Sequence, residues 1–326
     1  MIAPVKIAGI GEGLPKTIIT NKMMEDVVDT SDEWIKQRTG IQQRHILTDD
    51  SIVSISIKAC MNALDSAGVT PDEIGMTVAC TLSSDYITPS LAGCIQKSLG
   101  LPYGPAFDLS AGCTGFIYAL VSAASLMDTL AVDTALVVSG EGLSRKINWS
   151  DRASCVLFGD GAGAVVLKKS KTACLNYPLL MGKSDTNDVL VIKNNLDDTP
   201  WHVYDKEQND KLQMKGREVF EFASEVLATT LEYLKEKCGD KPFNKIIPHQ
   251  ANTRIIDYVS RITGFKQDQF FLNLSRFANT SSASIPLALW DAYKQGWLVS
   301  GDRLALVGFG SGLTWGGVVV DWTLDI

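Results

Sequence analysis

Cys113 lies in the stretch DLSAGCTGFIYAL (108–120), where small residues surround a thiol and an apolar run follows directly. If GFIYALVSAASLMDTL forms a helix, Cys113 stands at its N-terminus, where unpaired backbone N–H groups and the helix dipole lower the pKa of a thiol. The same N–H groups can stabilise the oxyanion that forms when a thiolate attacks a carbonyl group. Ala111, Gly112 and Gly115 leave room for that carbonyl group. We therefore predict that Cys113 is a nucleophile and that the other six cysteines are structural.

A histidine and an asparagine are candidate partners of this thiol. His249, in KIIPHQANTRIIDYV, follows a predicted buried strand, and the ends of such strands are where open α/β sheets place their sites. The other two histidines, His45 and His202, are predicted to be structural or surface residues. Asn279, in RFANTSSASIPLAL (276–289), precedes an apolar helix and, taken alone, is typical of a helix cap.

A Cys–His–Asn set is compatible with two chemistries. In a thiol protease, the histidine is the general base and the asparagine orients it, but neither a secretion signal nor a pro-segment is visible here. In carbon–carbon bond formation, the thiolate carries an acyl group while two uncharged donors stabilise a thioester enolate made by decarboxylation. A neutral imidazole and an amide suit that task, whereas an ionised aspartate at position 279 could not donate a hydrogen bond.

Alternating strand-like and helix-like segments must position these residues, and they predict an α/β fold. VKIAGIG (5–11) is strand-like, whereas SIVSISIKACMNALDSAG (51–68) has helical periodicity and ends on a capping glycine. The strand–turn–strand pattern of residues 135–169 resembles that of residues 304–322. This internal similarity predicts two related halves, which we place at residues 1–172 and 173–326. The polar span 182–211 is predicted to be surface.

Composition excludes several classes of protein. The 326 residues carry a net charge of −7, which disfavours a general nucleic-acid or anionic-membrane role. No run approaches the roughly 18 apolar residues of a membrane span, and the N-terminus lacks an export signal. The seven cysteines are scattered without a CxxC pair, so neither a disulfide framework nor a zinc site is expected. We expect a cytoplasmic protein.

Four stretches, in order, resemble the signatures of the β-ketoacyl-acyl carrier protein synthase III family: DLSAGCTGFIYAL, PHQANTRII, ANTSSASIPLAL and FGSGLTWG. TSDEWIKQRTGIQQRHI and FGDGAGAVVL extend the resemblance over nearly the whole chain. The resemblance implies the thiolase fold, a duplicated five-layered αβαβα arrangement that is usually a homodimer. It implies that an acyl-CoA acylates the cysteine, and that malonyl-acyl carrier protein then loses CO₂ and attacks the acyl group. No metal or redox cofactor is implied.

The resemblance also assigns residues to roles. It implies Cys113 as the acylated nucleophile, and His249 and Asn279 as the pair that stabilises the enolate. The oxyanion hole would use the backbone N–H groups of Cys113 and Ser311, the latter standing where relatives often have glycine or alanine. Four residues match the coenzyme A site of the family: Thr30, Trp34, Arg38 and Arg152. The resemblance implies that the adenine lies between Trp34 and Arg152, held by stacking and cation–π contact.

An acidic protein needs a local basic patch to bind an acidic carrier protein. Arg254 and Arg261 are seven residues apart on the predicted helix after His249, hence on one face and about 10 Å apart along its axis. Lys215 and Arg217 extend this candidate patch. Glu221 stands where some relatives carry a base, which weakens or shifts the patch.

The acyl pocket is the last assignment made by resemblance. In the family, the residue before the proline of SSDYITPSLAGC reaches across the dimer and helps to close the partner's acyl pocket. A bulky aromatic residue there resembles members restricted to short primers, whereas this chain has Thr88. We therefore predict that chains longer than acetyl are accepted.

Other functions share this apparatus and stay open. One is a synthase of secondary metabolism that condenses an unusual starter, and another is an acyltransferase that forms esters or amides. A third is an inactive partner that only binds carrier protein, which the intact Cys–His–Asn set disfavours. A thiolase or a hydroxymethylglutaryl-CoA synthase is disfavoured, because the former uses a second active-site cysteine and the latter a glutamate base in another motif setting.

Overall fold

Two β-sheets organise the computed structural model, which describes residues 4–194, 198–203 and 210–324. The strands of the first sheet are β1 (Val5–Gly13), β4 (Met76–Cys80), β5 (Ala106–Leu109), β6 (Thr134–Glu141) and β7 (Gly161–Lys169). The strands of the second sheet are β8 (Leu175–Gly182), β11 (Lys245–Pro248), β12 (Arg303–Gly310) and β13 (Thr314–Asp321). Two short pairs complete the set: β2 (Thr17–Thr20) with β3 (Gln43–Ile46), and β9 (Leu190–Val191) with β10 (Gln213–Met214).

The two sheets share one topology. The first has the order β1-β7-β6-β4-β5 and the second the order β8-β13-β12-β11. In each sheet three strands are antiparallel, β1-β7-β6 and β8-β13-β12, and a parallel strand follows them, β4 in the first sheet and β11 in the second. The first sheet adds one more parallel strand, β5. This correspondence confirms the duplication predicted from the internal similarity of the sequence. The boundary at residues 172 and 173 stays a prediction, consistent with the gap between β7 and β8.

Helices form three layers around the two sheets. The helices are α1 (Asn21–Met24), α2 (Asp32–Thr39), α3 (Ile52–Ala67), α4 (Leu91–Leu99), α5 (Gly115–Thr129), α6 (Arg152–Cys155), α7 (Gly216–Cys238), α8 (Thr253–Thr263), α9 (Leu274–Phe277) and α10 (Ser284–Lys294). The 3-10 turns span Pro71–Glu73, Gly112–Thr114, Leu143–Lys146, Gln267–Gln269 and Ser281–Ala283. Helices α3 and α4 cover the first sheet, α7 and α8 cover the second, and α5 and α10 lie between the sheets. The layers therefore run αβαβα, as predicted.

The position of each helix follows from its sequence. Helix α5 is apolar on most of its circumference, with Phe116, Ile117 and Leu120 buried, because it packs against a sheet on both sides. Helix α8 has one apolar face, which buries Ile255 and Val259 against the second sheet, while its other face is polar. Within the described residues, no helix combines the length and the apolar character that crossing a bilayer requires.

The candidate residues lie at the ends of these elements. Cys113 lies between β5 and α5, and His249 directly follows β11. Asn279 precedes the 3-10 turn that leads into α10, and Ser311 lies in the short connection from β12 to β13. The two central helices therefore begin at the site, and the parallel strands β11 and β12 end there.

Candidate active site

Two glycines let the backbone around Cys113 lie against the β12–β13 connection. Gly112 has a φ of +56°, and a Cβ there would lie 2.6 Å from the Ser311 carbonyl oxygen. A Cβ on Gly310 would lie 2.6 Å from the Cys113 amide nitrogen. Within the described residues, no backbone carbonyl outside the regular helices and strands accepts a hydrogen bond from the amide of Cys113 or Ser311. Two neighbouring backbone N–H groups are what an oxyanion hole requires, which supports the predicted role of both.

The thiol itself is buried and neutral. Cys113 is only 6% exposed, and its Sγ atom lies 3.4 Å from the Ser281 hydroxyl oxygen. Burial raises the pKa of the Cys113 thiol to about 12. A hydrogen bond from Ser281 opposes this rise, whereas the negative charge of Glu141 increases it. The pKa lowering predicted from the helix N-terminus is therefore wrong for this structure, because removal from water outweighs it. The thiol must lose its proton as it reacts.

His249 is held as a neutral imidazole. Its backbone N–H donates to the Val307 carbonyl at 2.8 Å, its ring lies edge-on to Phe309, and Nδ1 is 2.7 Å from the Ser284 hydroxyl oxygen. Burial lowers the pKa of the His249 ring to about 3. Because Nδ1 is engaged, Nε2 is the nitrogen left for a substrate, and it can donate a hydrogen bond without carrying charge.

Asn279 both caps a turn and presents an amide donor. Its backbone is fixed on both sides, since its N–H donates to Leu157 O at 3.0 Å and its carbonyl accepts from Gly159 N at 3.0 Å. The side-chain Oδ1 accepts the Ser281 N–H at 2.9 Å. The Nδ2 group is then the part of the side chain left to donate. The helix cap considered for Asn279 alone is not formed, because Ala283 is the N-cap of α10. The donor role of Asn279 stays a prediction.

These groups open onto one cavity of about 1180 Å³, lined in part by Cys113, His249, Asn279 and Ser311. The segment 190–194 and Met214 also line it, because β9 pairs with β10 beside the entrance. The prediction that span 182–211 is only surface was therefore wrong at this segment. The signal was present in the consecutive apolar residues VLVI (189–192), which stand out in an otherwise polar stretch.

The predicted coenzyme A residues only partly converge. The guanidinium carbon of Arg152 lies 4.9 Å from the centroid of the Trp34 ring, and that of Arg38 lies 5.9 Å from it. Trp34 and Arg38 line the cavity, whereas Arg152 and Thr30 do not. Because Arg152 already covers the indole, a base that stacks between the two side chains must displace it.

The candidate basic patch is uneven. Arg254 and Arg217 line the cavity, and Arg261 and Lys215 are exposed outside its wall. Glu221 accepts a hydrogen bond from Arg217 Nε at 2.9 Å, so it offsets that positive charge. The role of these four basic residues in binding a carrier protein stays a prediction.

Thr88 does not line the cavity of the single chain. Its neighbours Tyr86 and Ile87 do, although Ile87 is 97% exposed. The role of Thr88 at a partner's acyl pocket stays a prediction.

The layered fold and the neutral His–Asn pair beside a buried thiol define a thiolase-fold condensing enzyme. The family model "3-Oxoacyl-[acyl-carrier-protein (ACP)] synthase III" matches residues 107–179, and the model of its C-terminal part matches residues 236–322. The chain is 41% identical to the β-ketoacyl-[acyl-carrier-protein] synthase III of Clostridium perfringens SM101. The alignment covers 97% of this chain and 98% of that relative. It therefore belongs to the synthase III family of condensing enzymes.

Solved structures agree with this assignment. The crystal structure of 3-oxoacyl-[acyl-carrier-protein] synthase III from Aquifex aeolicus superposes with a TM-score of 0.89 at 36% identity, over 98% of this chain and all of that one. The priming β-ketosynthase of the R1128 polyketide pathway superposes with a TM-score of 0.92 at 31% identity, over 100% of this chain and 98% of that one. The resemblance read from the four sequence stretches is confirmed.

Proposed function

We propose that this enzyme joins an acyl-CoA primer to malonyl-acyl carrier protein by a decarboxylative Claisen condensation, as the first step of fatty acid synthesis. The observation that carries the proposal is the convergence of Cys113, His249, Asn279 and two neighbouring backbone amides on one cavity. The product is a β-ketoacyl thioester, and no metal or redox cofactor takes part.

In the first half-reaction, the Cys113 sulfur attacks the thioester carbonyl of the acyl-CoA. The amides of Cys113 and Ser311 stabilise the oxyanion of the tetrahedral intermediate, and each such donor contributes about 10²- to 10³-fold in rate. Free coenzyme A leaves, and the acyl group stays on the sulfur. The entrance side chains Trp34 and Arg38, with Arg152 moved aside, bind the nucleotide end of the acyl-CoA.

In the second half-reaction, malonyl thioester loses CO₂ and leaves an enolate. His249 Nε2 and Asn279 Nδ2 donate hydrogen bonds to the enolate oxygen, and both are neutral, so no buried counter-charge has to form. The enolate carbon attacks the acyl-enzyme carbonyl, and the Cys113 sulfur is released. Arg254 and Arg261 on α8, with Lys215 and Arg217 beside them, dock the acidic carrier protein.

We place the enzyme in the cytoplasm as a homodimer. The exposed Tyr86 and Ile87, which also line the cavity, support the dimer, because a second subunit would cover them and complete the acyl pocket near Thr88. Size-exclusion chromatography with light scattering tests this, and a monomer that is fully active on long primers would contradict it.

The experiment that tests the function is intact-protein mass spectrometry after exposure to a panel of acyl-CoAs, followed by addition of malonyl-acyl carrier protein. Cys113 should gain the acyl mass and then lose it as the β-ketoacyl product appears. The Cys113→Ala variant should gain no mass, whereas Cys155→Ala, another buried cysteine, should behave as the parent. Acyl mass on a peptide without Cys113 would refute the assignment.

A second candidate function is priming of a secondary-metabolite pathway with a non-acetyl starter. It is supported by the close superposition on the R1128 priming ketosynthase and by the small side chain of Thr88. The same acyl-CoA panel separates the two: strict acetyl preference favours fatty acid initiation, and preference for a longer or branched starter favours the second. Malonyl-CoA offered beside malonyl-acyl carrier protein identifies the carrier of the extender.

A further inference from the structure

A buried hydroxyl group in contact with the His249 ring has no role in the mechanism above. Ser284, the first residue of α10, is 1% exposed, and its Oγ lies 2.7 Å from His249 Nδ1. The same oxygen accepts a hydrogen bond from the backbone N–H of Gln250 at 3.4 Å. His249 and Gln250 are buried as well, so bulk water does not compete for these contacts.

The side chain of Gln250 fixes the turn that follows β11, and with it the position of the imidazole relative to α10. Its NH₂ group donates to the Pro248 carbonyl at 2.8 Å and to the Phe271 carbonyl at 3.2 Å. Its Oε1 accepts a hydrogen bond from the Asn273 N–H at 3.0 Å. Because both ends of this amide are held, the backbone N–H of Gln250 stays directed at the Ser284 hydroxyl oxygen.

The number of available protons decides how the hydroxyl group and the imidazole are arranged. A hydroxyl group has one proton to donate and two lone pairs, and a neutral imidazole carries its proton on one of two nitrogens. Burial lowers the pKa of His249 to about 3, so the ring is neutral. Within the described residues, no carbonyl or carboxylate oxygen accepts from the Ser284 hydroxyl, although serine in a helix often donates to the carbonyl four residues earlier. His249 Nδ1 is then the acceptor that this part of the chain offers to the hydroxyl proton.

The two possible arrangements differ in free energy. If Nδ1 of His249 carried the ring proton, it would donate to Ser284 Oγ, and the hydroxyl proton would be buried without an acceptor. If Nε2 carries the ring proton, the hydroxyl group donates to Nδ1, its oxygen still accepts from the Gln250 N–H, and every group is satisfied. A buried donor without a partner is destabilising, which favours the second arrangement by about tenfold or more.

We propose that Ser284 is a positioning residue that donates a hydrogen bond to Nδ1 of His249 and thereby fixes the ring in the tautomer with its proton on Nε2. This inference rests on the proposed function, in which Nε2 donates to the enolate oxygen. The same tautomer leaves no lone pair on Nε2, so that nitrogen cannot take the proton of Cys113. The contact therefore favours the condensation role of His249 over the general-base role that a thiol protease requires.

The tautomer is measured by long-range ¹H–¹⁵N NMR of the resting enzyme labelled with ¹⁵N-histidine. The chain has only three histidines, and the His249→Gln variant assigns the signals of His249 by their loss. His45 is an internal reference, because its Nδ1 lies 2.7 Å from the Pro15 carbonyl oxygen, which can only accept, and must therefore be protonated. On His249 of the parent, Nε2 should be protonated and Nδ1 unprotonated.

Replacement of Ser284 should change this pattern. In Ser284→Ala the tautomers should mix, so that the two nitrogen shifts of His249 approach each other. Ser284→Thr keeps the hydroxyl group and should retain the pattern of the parent. Melting curves identify a misfolded variant, and Ser284→Cys, whose thiol is a weak donor, replaces Ser284→Ala if that variant does not fold.

The rates of the two half-reactions separate positioning of His249 from a general structural role. Ser284→Ala should release CO₂ from malonyl thioester about three- to tenfold more slowly, as for the loss of one hydrogen bond, and should acylate Cys113 at nearly the parent rate. Ser284→Thr should restore CO₂ release. The matched control is Ser224→Ala, because Ser224 is buried on α7 and its Oγ has no hydrogen-bond partner among the described residues. That variant should match the parent in the spectrum and in both rates.

Two results would overturn the proposal: an unprotonated Nε2 on His249 in the parent, or the parent's tautomer in Ser284→Ala. Equal slowing of both half-reactions in folded Ser284→Ala would also contradict it. Absence of acyl mass on Cys113 or of CO₂ release in the parent would instead refute the proposed function. The tautomer of the resting enzyme is measured without substrate, so the two failures are distinguishable.

Discussion

Replacing Gly310 by alanine tests whether the close approach of β12 to Cys113 creates the oxyanion hole. The added Cβ would lie 2.6 Å from the Cys113 amide nitrogen, 2.8 Å from its Cβ and 3.1 Å from its Cα, against an ordinary contact limit of 3.4 Å. The Cys113 backbone or the end of β12 must therefore move by about 0.8 Å. All three contacts are with atoms close to the main chain, so rotation of a flexible side chain cannot relieve them.

The expected loss follows from that displacement. A misplacement of about 1 Å costs on the order of 10²-fold in rate, which is also the lower end for losing one oxyanion donor. We expect Gly310→Ala to acylate about 10²-fold more slowly and to unfold with a free energy lower by about 1–3 kcal/mol, as for overpacking in a core. The assay is quenched mass spectrometry of Cys113 with a saturating acyl-CoA, beside urea unfolding of the same sample.

Gly182→Ala is the matched control, since Gly182 also ends a strand of the second sheet but a Cβ there would meet its nearest atom at 3.5 Å. This variant should acylate and unfold as the parent does. If Gly310→Ala is folded and acylates within a few-fold of the parent, the amide of Cys113 does not depend on this contact, and the oxyanion assignment is wrong.

Three further predictions concern the histidine–asparagine pair, the acyl pocket and acid stability. His249→Ala and Asn279→Ala should still acylate at Cys113 but decarboxylate malonyl thioester more slowly by about 10²-fold or more, measured as CO₂ release; normal condensation with failed acylation would favour the protease-like role. Thr88→Phe should reduce turnover of medium-chain primers far more than that of acetyl-CoA, since each buried methylene contributes about 0.8 kcal/mol; equal losses along the series would show that another residue sets the depth. Burial lowers the pKa of His249 to about 3 from an ordinary value of 6.5. Between these two pH values the unfolded state binds a proton that the folded state does not, so the free energy of unfolding should fall as the pH drops from 6.5 towards 3. Urea unfolding of the parent and of His249→Gln checks this, and the variant should be less sensitive to acid.

Local sequence signals predicted the α/β class and the duplication, whereas the five-layered arrangement followed from the family resemblance. The strand patterns around residues 5–11 and 135–169 have their counterparts in β1, β6 and β7, and the glycine-terminated helix is α3, capped by Gly68 with a φ of +59°. These segments are long, strongly apolar and bounded by turn residues, so periodicity alone identifies them. The repeated strand–turn–strand pattern predicted the duplication because the two copies form corresponding antiparallel pairs, β6 with β7 and β12 with β13.

The electrostatic state of the site could not be predicted in this way. A helix N-terminus is visible in sequence, but the burial that raises the pKa of Cys113 depends on the 3-10 turn Ser281–Ala283 and on β12, which are remote in the chain. The surroundings of Glu141 could not be predicted for the same reason: in TALVVSGEG it is one carboxyl group at a strand end, and its hydrogen bonds come from Leu82, Ser83 and Ser282. Spatial neighbours of high sequence separation decide both environments.

Burial has opposite consequences for the two halves of the reaction. It keeps His249 neutral, as a donor that stabilises an enolate must be. It also keeps Cys113 protonated, which makes the thiol a weaker nucleophile. A solvated site would help the thiol and weaken the donors, because hydrogen bonds to the enolate are stronger when water is excluded. The pH dependence of single-turnover acylation at Cys113, measured beside CO₂ release from malonyl thioester, therefore tests how a single environment serves both steps.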